Sequence, residues 1–433
     1  MYAKFRMRGS APTHHVPLGA MLAVLAVSPA MAQPGPPPEG PVSPVVQPDG
    51  RVTFSLFAPS AQKVDLDGDH PLADNFRAGK VVTHMTRDDK GVWSVTIGPL
   101  KPDLYQYFFV VDGLHVLDPQ NVHVDRSNSA NRTSNWVLIP GPQSANYQIN
   151  DVPHGRVSEV WYTSPALDGV KRRLTIYTPP GYEDGQARYP VFYLYHGGGE
   201  DELTWTVQGR APEILDNMIA QGKMAPMIVV MPSWNIGANL SAADANATRP
   251  ASFDAHAPRP PATLYADSVV ADLIPFIDHN YRTIADRDHR AVAGPSAGGT
   301  QALLTGLLHV DQFSYVGLFS PALARTPGAE IHIPLPDDAD TRRGPDLGVS
   351  IDTARFEAFF PALGPDLNRR MHLLYLSVGG VEGLIEEEEA GRKALDEKGV
   401  KYLWVTRPGY GHEWAFWRQD LEDFGARLFK PVP

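Results

Sequence analysis

Cysteine is absent from the 433-residue sequence. Its absence excludes disulfide bonds, zinc–cysteine sites, iron–sulfur clusters and thiol nucleophiles. Basic residues are outnumbered as well, since 38 Lys and Arg against 49 Asp and Glu give a formal net charge of -11. A nucleic-acid-binding protein usually carries a basic face, so this charge balance argues against nucleic acid as a partner. We expect no cofactor and no metal, and the composition does not specify an oligomeric state.

Long apolar runs are missing too. The apolar stretch at residues 18–27 (LGAMLAVLAV) is too short for a membrane-spanning helix, which needs about 20 residues, and no other segment is long enough. It follows the basic residues Lys4, Arg6 and Arg8 and precedes the small-residue sequence AMA at residues 30–32. This layout is typical of a secretory signal peptide. We therefore predict a cleaved signal peptide over residues 1–32 and a secreted or periplasmic protein without a membrane span.

Composition divides the next part of the chain into three segments. Residues 33–43 are rich in Pro and Gly and are expected to form an extended linker. Residues 44–141 carry short strand patterns separated by turns, including a hairpin turn at Asp112-Gly113, and this predicts an immunoglobulin-like β-sandwich. Residues 142–156 are polar and turn-rich, and they predict a second linker at a domain boundary.

Strands and helices alternate over residues 157–433. Apolar runs predict strands at 173–178, 191–195, 227–231, 290–293, 315–319, 373–378 and 402–406, and helical periodicity predicts helices at 211–221, 266–279, 297–309, 386–398 and 414–428. Alternation of this kind implies an α/β fold with a doubly wound, mostly parallel sheet. Pro275 falls inside the second of these helices and is expected to kink it.

Residues 294–298 (GPSAG) match the G-x-S-x-G motif of serine hydrolases. In an α/β-hydrolase, the serine of this motif lies on a sharp turn between a strand and a helix, and the flanking glycines leave room for that turn. Here a predicted strand precedes the motif and a predicted helix follows it. We therefore predict Ser296 as a nucleophile.

A second motif, His-Gly-Gly-Gly at residues 196–199, directly follows the predicted strand 191–195. Acyl transfer builds negative charge on the carbonyl oxygen of the substrate, and backbone N–H groups aimed at that oxygen stabilise the charge. One such donor belongs to the residue after the nucleophile, here Ala297, and another comes from a loop of the HGGG type. The two motifs together predict an oxyanion hole.

Chain order predicts the general base and its acid. His412 lies in a glycine-flanked loop after the last predicted strand, where these hydrolases carry the histidine that takes the serine proton. The acid is expected after the preceding strand, and Glu382 follows that strand within a Gly-rich loop. The acidic run at 386–389 opens a predicted helix, where negative charge favours the helix dipole. We therefore predict Glu382 as the acid.

These motifs resemble carbohydrate esterase family 1, the feruloyl and acetylxylan esterase group related to siderophore esterases. The segments that carry the resemblance across residues 157–433 are VFYLYHGGG (191–199), Trp205, GRAPEILDN (209–217), MIVVMP (227–232), RAVAGPSAGG (290–299) and GHEWAFWR (411–418). The resemblance implies an α/β-hydrolase fold, a triad of Ser296, Glu382 and His412, and oxyanion donors at Ala297 and Gly198. Two departures stand out: the family usually has Leu-Ser-Met where this chain has Pro-Ser-Ala, and Asp where it has Glu382.

Residues 44–141 resemble immunoglobulin-like domains that are similar to family 48 carbohydrate-binding modules. The resemblance is carried by FSLFAP (54–59), GVW (91–93) and VDG (111–113). Such a domain implies either glycan binding or packing against the catalytic domain. Trp93 lies in an alternating strand, so we expect it in the core and not against a sugar.

The resemblance implies hydrolysis of a carboxylic ester, with a feruloyl or acetyl ester on plant polysaccharide or oligosaccharide as the expected substrate. We assign Trp205 and Trp234 to a flat wall for an aromatic acyl group, although Trp is also a common core residue. We assign His196 to the same substrate-binding side, although a structural role beside the oxyanion loop suits it as well. Three alternatives stay open: a siderophore esterase of the enterobactin type, a sugar acyltransferase, and an inactive glycan-binding protein.

Overall fold

The computed structural model of the chain describes residues 40–69, 83–125, 133–235, 263–321, 323 and 351–430. The predicted signal peptide at 1–32 and most of the predicted linker at 33–43 lie outside the described residues. Within those described ranges, no helix combines the length and the apolar character needed to cross a membrane.

The first part of the chain forms two antiparallel β-sheets. Their strands are β1 (Val45–Val46), β2 (Val52–Phe57), β3 (Val64–Gly68), β4 (Thr83–His84), β5 (Thr86–Arg87), β6 (Val92–Ile97), β7 (Leu104–Val111), β8 (Leu114–Val116), β9 (Val124–Asp125) and β10 (Ser134–Leu138). One sheet has the order β1-β2-β6-β5, and the other has the order β4-β3-β7-β10-β9 with β8 paired to β7. Phe54 and Tyr107 pack together between the sheets, with ring centroids 4.6 Å apart. The predicted β-sandwich is confirmed, and we call strands β1–β10 the β-sandwich.

Two local predictions within the β-sandwich are confirmed. The Asp112-Gly113 turn joins β7 to β8, and both residues have positive φ, 48° and 89°, as a two-residue type I′ turn requires. Trp93 is buried, and its indole N–H donates to the Ala58 carbonyl at 3.0 Å. Trp93 therefore packs in the core of the β-sandwich and is not available to a sugar.

One sheet organises the remainder of the chain. Its strands are β11 (Arg156–Ser164), β12 (Val170–Thr178), β13 (Val191–Leu194), β14 (Ile228–Pro232), β15 (Arg290–Pro295), β16 (Tyr315–Phe319), β17 (Leu373–Gly379) and β18 (Leu403–Arg407). Their order in the sheet is β11-β12-β14-β13-β15-β16-β17-β18. The pairs β11–β12 and β12–β14 are antiparallel, and the other pairs are parallel. The predicted mostly parallel α/β sheet is confirmed, and β15, which leads into the serine motif, lies near its middle.

Helices cover both faces of this sheet. They are α1 (Thr204–Val207), α2 (Ala211–Ala220), α3 (Leu264–Ser268), α4 (Ile274–Asn280), α5 (Ala297–Leu308), α6 (Thr353–Phe359), α7 (Pro365–Arg370), α8 (Ile385–Glu397) and α9 (Trp414–Gly425). One apolar cluster joins a face of the sheet to α3–α8, and a second joins the opposite face to α1, α2 and α9. Alternate side chains of β15 pack on opposite faces of the sheet: Val292 belongs to the first cluster and Ala291 to the second.

Pro275 disturbs its helix as expected. Between α3 and α4 the backbone makes a π turn over Val269–Leu273. Proline has no backbone N–H to donate, and its ring clashes with the carbonyl four residues earlier, here that of Ala271. The wider π turn accommodates this local mismatch while Ile274, the residue before the proline, stays buried in the core.

Two features of the chain after the β-sandwich were not predicted from the sequence. Strand β11 lies at the edge of its sheet with side chains such as Trp161 exposed, so its sequence lacks the apolar run that identified the other strands. The segment 142–156, predicted as a linker, contains the buried Tyr147. The side chain of Asn217 in α2 donates to the Asn146 carbonyl at 3.0 Å. This segment is therefore packed against the α/β part of the chain.

Candidate active site

Ser296, the predicted nucleophile, lies on the sharp turn between β15 and α5. Its φ of 52° and ψ of -125° fall in a region that few non-glycine residues adopt. Such a backbone conformation is unfavourable by a free energy of order 1–3 kcal/mol, and it persists only when the surrounding structure enforces it. The Ser296 N–H donates to the Phe319 carbonyl of β16 at 2.7 Å, which fixes the turn at the carboxyl end of the parallel strands.

Two glycines make this turn possible. A Cβ on Gly298 would lie 2.1 Å from the carbonyl oxygen of His196, and a Cβ on Gly294 would lie 2.9 Å from the backbone of Gly298. Both distances are too short for real side chains. The start of α5 can therefore approach the loop after β13 only because glycines occupy these positions, as the G-x-S-x-G motif predicts.

His412 lies in the loop between β18 and α9, and its ring reaches the serine. Its Nε2 lies 2.8 Å from Ser296 Oγ, which is a normal hydrogen-bonding distance. A Cβ on Gly379, at the end of β17, would lie 2.5 Å from the Tyr410 carbonyl oxygen, so glycine lets the histidine loop pack against β17. Trp417 of α9 packs edge-to-face against the imidazole, with ring centroids 5.0 Å apart.

The buried carboxylate of Glu382 lies behind the imidazole. Its Oε2 is 3.3 Å from Nδ1 of His412 and accepts a hydrogen bond from the Ser320 hydroxyl at 2.9 Å. The first distance is longer than the usual value of about 2.9–3.0 Å for such bonds. Ser320 follows β16 with a φ of 47° and was not identified from the sequence. The one feature of the sequence that could have identified Ser320 is that it directly follows β16, the strand beside β15.

The two predicted oxyanion donors lie side by side. A Cβ on Gly198 would lie 3.5 Å from the Cβ of Ala297, so the glycine loop borders the first residue of α5. Gly198 is exposed, whereas Gly197 before it is buried. The Ala297 N–H belongs to the first turn of α5, where backbone amides and the helix dipole favour negative charge. This arrangement can stabilise a negatively charged oxygen next to Ser296.

Glu200, the residue after the glycine motif, has a buried carboxyl group that no motif in the sequence marks. Its Oε2 accepts the Gly197 N–H at 2.7 Å, and its Oε1 accepts the indole N–H of Trp414 at 3.0 Å. One carboxylate thus joins the glycine loop to the first residue of α9, two residues after His412. Burial raises the pKa of Glu200 to about 8. The only signal in the sequence was a charged residue directly behind a glycine motif.

Comparison with known proteins identifies the family. Residues 164–428 match the profile of the family described as "Putative esterase". The chain belongs to this esterase family. Residues 42–126 of the esterase match carbohydrate-binding module 48, the isoamylase N-terminal domain. The resemblances expected from the sequence, to an esterase and to a family 48 module, are confirmed.

A curated relative and two solved structures resemble this esterase. An endo-1,4-β-xylanase/feruloyl esterase from Xylanibacter ruminicola is 29% identical over 393 residues, which cover 89% of the esterase and 46% of the relative. The esterase thus spans about half the length of that relative. A CE1 ferulic acid esterase from Anaeromyces mucronatus has a TM-score of 0.50 at 20% identity, covering 67% of this chain and 96% of that one. The enterobactin esterase of Shigella flexneri has a TM-score of 0.59 at 17% identity, covering 88% and 93%. At these identities the two structures support the fold alone.

Two predicted substrate-binding residues of the esterase lie inside the protein. Trp205 and His196 are each 1% exposed, so the prediction that they face the substrate is wrong. The indole N–H of Trp205 donates to the Tyr195 carbonyl at 2.7 Å, which fixes the ring beneath the glycine loop. His196 Nε2 accepts the Trp234 N–H at 3.3 Å, and burial lowers the pKa of His196 to about 4. Both side chains therefore support the loop from within.

Trp234 is half-buried and lies against the same loop. Its indole N–H donates to the His196 carbonyl at 2.7 Å, and its ring stacks on the imidazole with centroids 5.3 Å apart. The next residue, Asn235, donates its side-chain amide to the Glu200 carbonyl at 2.8 Å. The ring is thus held firmly beside the glycine loop, and its contact with a substrate stays a prediction.

A cavity of about 460 Å³ lies away from these residues. It is lined by the β-sandwich, by the segment 142–156 and by Arg210, the residue before α2, with Trp136 and His123 among the lining side chains. None of the residues predicted for the active site lines it. Among the residues that the structure describes, no group of three or more His, Asp or Glu could hold a metal ion.

Proposed function

We propose that this chain is a serine carboxylic-ester hydrolase that works through an acyl-enzyme. The observation that carries the proposal is the 2.8 Å distance between Ser296 Oγ and His412 Nε2, with the Glu382 carboxylate at the other ring nitrogen. A serine hydroxyl bonded to an imidazole, which is itself oriented by a carboxylate, is the arrangement that activates serine for attack. Membership of the esterase family supports the same chemistry.

In the first half of the reaction, Ser296 Oγ attacks the ester carbonyl carbon while His412 Nε2 takes the hydroxyl proton. The backbone N–H groups of Ala297 and Gly198 stabilise the negative charge that develops on the carbonyl oxygen. The bond between the carbonyl carbon and the alcohol oxygen then breaks, and the leaving alcohol takes the proton from His412. The acyl group remains on Ser296.

In the second half, water releases the acyl group. His412 takes a proton from the water, whose oxygen adds to the acyl carbonyl carbon. The bond to Ser296 Oγ then breaks, and that oxygen takes the proton back from His412. Glu382 stabilises the imidazolium that forms in both halves, because its carboxylate faces Nδ1. The products are a carboxylic acid and the free enzyme.

We further propose a feruloyl or acetyl ester on plant polysaccharide as the substrate. The relative from Xylanibacter ruminicola is an endo-1,4-β-xylanase/feruloyl esterase, and residues 42–126 of this chain match a carbohydrate-binding module. The half-buried ring of Trp234 beside the glycine loop offers a flat apolar surface for an aromatic acyl group. A polymeric substrate requires an enzyme outside the cell. The signal-peptide layout of residues 1–32 supports export for this reason.

A substrate panel tests the proposal. Wild type and the matched variant Ser296→Ala are assayed on methyl ferulate, acetylated xylan and enterobactin. We expect wild type to release ferulate or acetate, and the variant to lose at least about 10⁴-fold in kcat. Cleavage of enterobactin alone would overturn the substrate class, and equal rates in the two proteins would overturn the mechanism. Addition of a sugar acceptor, with measurement of new esters, separates acyl transfer from hydrolysis.

A further inference from the structure

The β-sandwich contacts the segment that carries His412 through a buried ion pair. Arg418 of α9 is 1% exposed, and its Nη2 donates to the Asp103 carboxylate at 2.7 Å and to the Leu104 carbonyl at 2.9 Å. Leu104 is the first residue of β7 in the β-sandwich, and Asp103 directly precedes it. The same guanidinium donates to the Gln208 carbonyl of the α/β part at 2.8 Å. Arg418 therefore joins the two domains six residues after His412.

A second contact reaches this segment from the other side of His412. The side-chain amide of Gln143 donates to the Tyr410 hydroxyl at 2.8 Å and to the Asp103 carboxylate at 3.3 Å. Tyr410 lies two residues before His412. Asp103 is thus the centre of a polar chain that runs from Tyr410 through Gln143 and Asp103 to Arg418. Its two ends flank the histidine in the sequence.

Apolar contacts also link the β-sandwich and the segment 142–156 to α9. Tyr147, four residues after Gln143, is buried in the cluster that contains Trp417 of α9, the residue packed against the His412 ring. Leu138, the last residue of β10, packs against the same cluster. The position of α9 therefore depends on residues of the β-sandwich and of the segment that follows it.

The rate of ester hydrolysis depends on the position of His412, because its ring must form hydrogen bonds to both Ser296 and Glu382. Its bond to Glu382 is 3.3 Å long, so the carboxylate restrains the ring less than a shorter bond would. A displacement of about 1 Å in a reacting group can cost on the order of 100-fold in rate. Contacts that fix the backbone on both sides of the ring therefore affect turnover.

We propose that the β-sandwich and the segment 142–156 that follows it are together a positioning part of the catalytic site. They hold the His412 loop and α9 through Asp103 of the β-sandwich and Gln143 of the segment. The inference rests on the proposed function of Ser296 and His412. This role needs no sugar, so it affects turnover of every ester, including one too small to touch the β-sandwich. A domain that only binds glycan would leave turnover of such a small ester unchanged.

The test uses the full chain with p-nitrophenyl acetate, which carries no sugar. Gln143→Leu removes both amide donors, and Tyr410→Phe removes the hydroxyl at the other end of the same bond. We expect each variant to lower kcat about 3- to 10-fold, with KM within about twofold of wild type. Labelling by a fluorophosphonate probe should slow by a similar factor. Both changes break the bond between Gln143 and Tyr410, and Gln143→Leu also breaks the bond to Asp103. The double variant should therefore be no slower than Gln143→Leu alone.

Asn150→Ala is the matched control. Asn150 lies on the same segment as Gln143 and donates to the Asn217 side chain of α2 at 2.9 Å, so its loss weakens the interface away from His412. This control should keep the wild-type kcat. A wild-type kcat in Gln143→Leu, a change in KM alone, or an equal loss in Asn150→Ala would overturn the positioning role by itself. A wild type that neither cleaves an ester nor reacts with the probe would overturn the proposed function and this inference together.

Discussion

At the scale of single residues, two buried carboxylates near the proposed nucleophile have different surroundings. Glu382 faces the His412 ring and accepts the Ser320 hydroxyl. Glu200 accepts one backbone N–H and one indole N–H, and it joins the glycine loop to the first residue of α9. Their surroundings therefore distinguish the acid proposed to orient the base from a carboxyl group that positions the backbone.

The raised pKa of Glu200 predicts a pH-dependent effect on stability. Its pKa is about 8 in the folded protein, against an ordinary value of 4.5, mainly because of burial. Between these values the folded protein keeps a proton that the unfolded chain releases. This stabilising contribution is complete below about pH 4.5 and is lost as the pH rises through about 8.

Glu200→Gln removes this ionisation. The unfolding free energy of wild type minus that of the variant should therefore fall as the pH rises from 5 to 9. A fall of several kcal/mol is expected, since each unit by which a pKa moves corresponds to about 1.4 kcal/mol. Urea unfolding at several pH values measures it. Glu386→Gln, at an exposed site in α8, is the control and should show no such trend. A difference that is constant with pH for Glu200→Gln would show that burial does not raise the pKa of Glu200.

Some residues of the candidate site could be found from the sequence and others could not, for physical reasons. Ser296, His412 and Glu382 each follow a strand of the sheet, and strand ends can be found from apolar runs and glycine motifs. The burial of Trp205 and His196 depends on residues far away in the sequence, so no local pattern reveals it. Ser320 and Glu200 were missed for the same reason, because their partners come from other loops.

At the scale of elements, the candidate site depends on the close approach of α5 to the loop after β13. The first turn of α5 and the glycine loop supply the two proposed oxyanion donors, and only a glycine at position 298 lets their backbones meet. Apolar runs and periodicity predicted most strands and helices of the sheet. They missed β11, which is an exposed edge strand, and the π turn before Pro275, which only the backbone geometry reveals.

Gly298→Ala should separate these two elements. The added Cβ would lie 2.1 Å from the His196 carbonyl oxygen, so either α5 or the glycine loop must move. We expect a loss of about 1–3 kcal/mol in the unfolding free energy, as for other overpacked sites. We also expect a loss of about 100-fold or more in kcat on p-nitrophenyl acetate, because the two donors move apart.

Gly383→Ala is the control for this change. A Cβ at that position meets nothing within 4 Å, so activity and stability should stay near those of wild type. Equal kcat values in the two alanine variants would show that the close approach at position 298 has no effect on catalysis.

At the scale of the whole molecule, the β-sandwich and the α/β part share a buried interface. The ion pair between Arg418 and Asp103 lies inside it, and Arg210 of the α/β part lies 5.3 Å from the centroid of the Trp136 ring. A buried charge whose partner is removed is strongly unfavourable, because it keeps the cost of leaving water and loses the attraction. The two domains should therefore unfold together.

Asp103→Asn tests this coupling. It leaves the Arg418 cation buried without its anion, and we expect a loss of about 3–5 kcal/mol in the unfolding free energy. Asp49→Asn breaks an exposed ion pair with Arg51 and should barely move the urea midpoint. Similar midpoints for the two variants, or separate transitions of the two domains in wild type, would contradict a shared interface.

If Ser296 is the activated nucleophile, a fluorophosphonate probe should react with its hydroxyl. Peptide mapping by mass spectrometry after this reaction identifies the labelled residue. We expect one labelled peptide, which contains Ser296, and a labelling rate that falls at least about 100-fold in His412→Ala. Label on another residue such as Ser320, or an unchanged rate in His412→Ala, would contradict it.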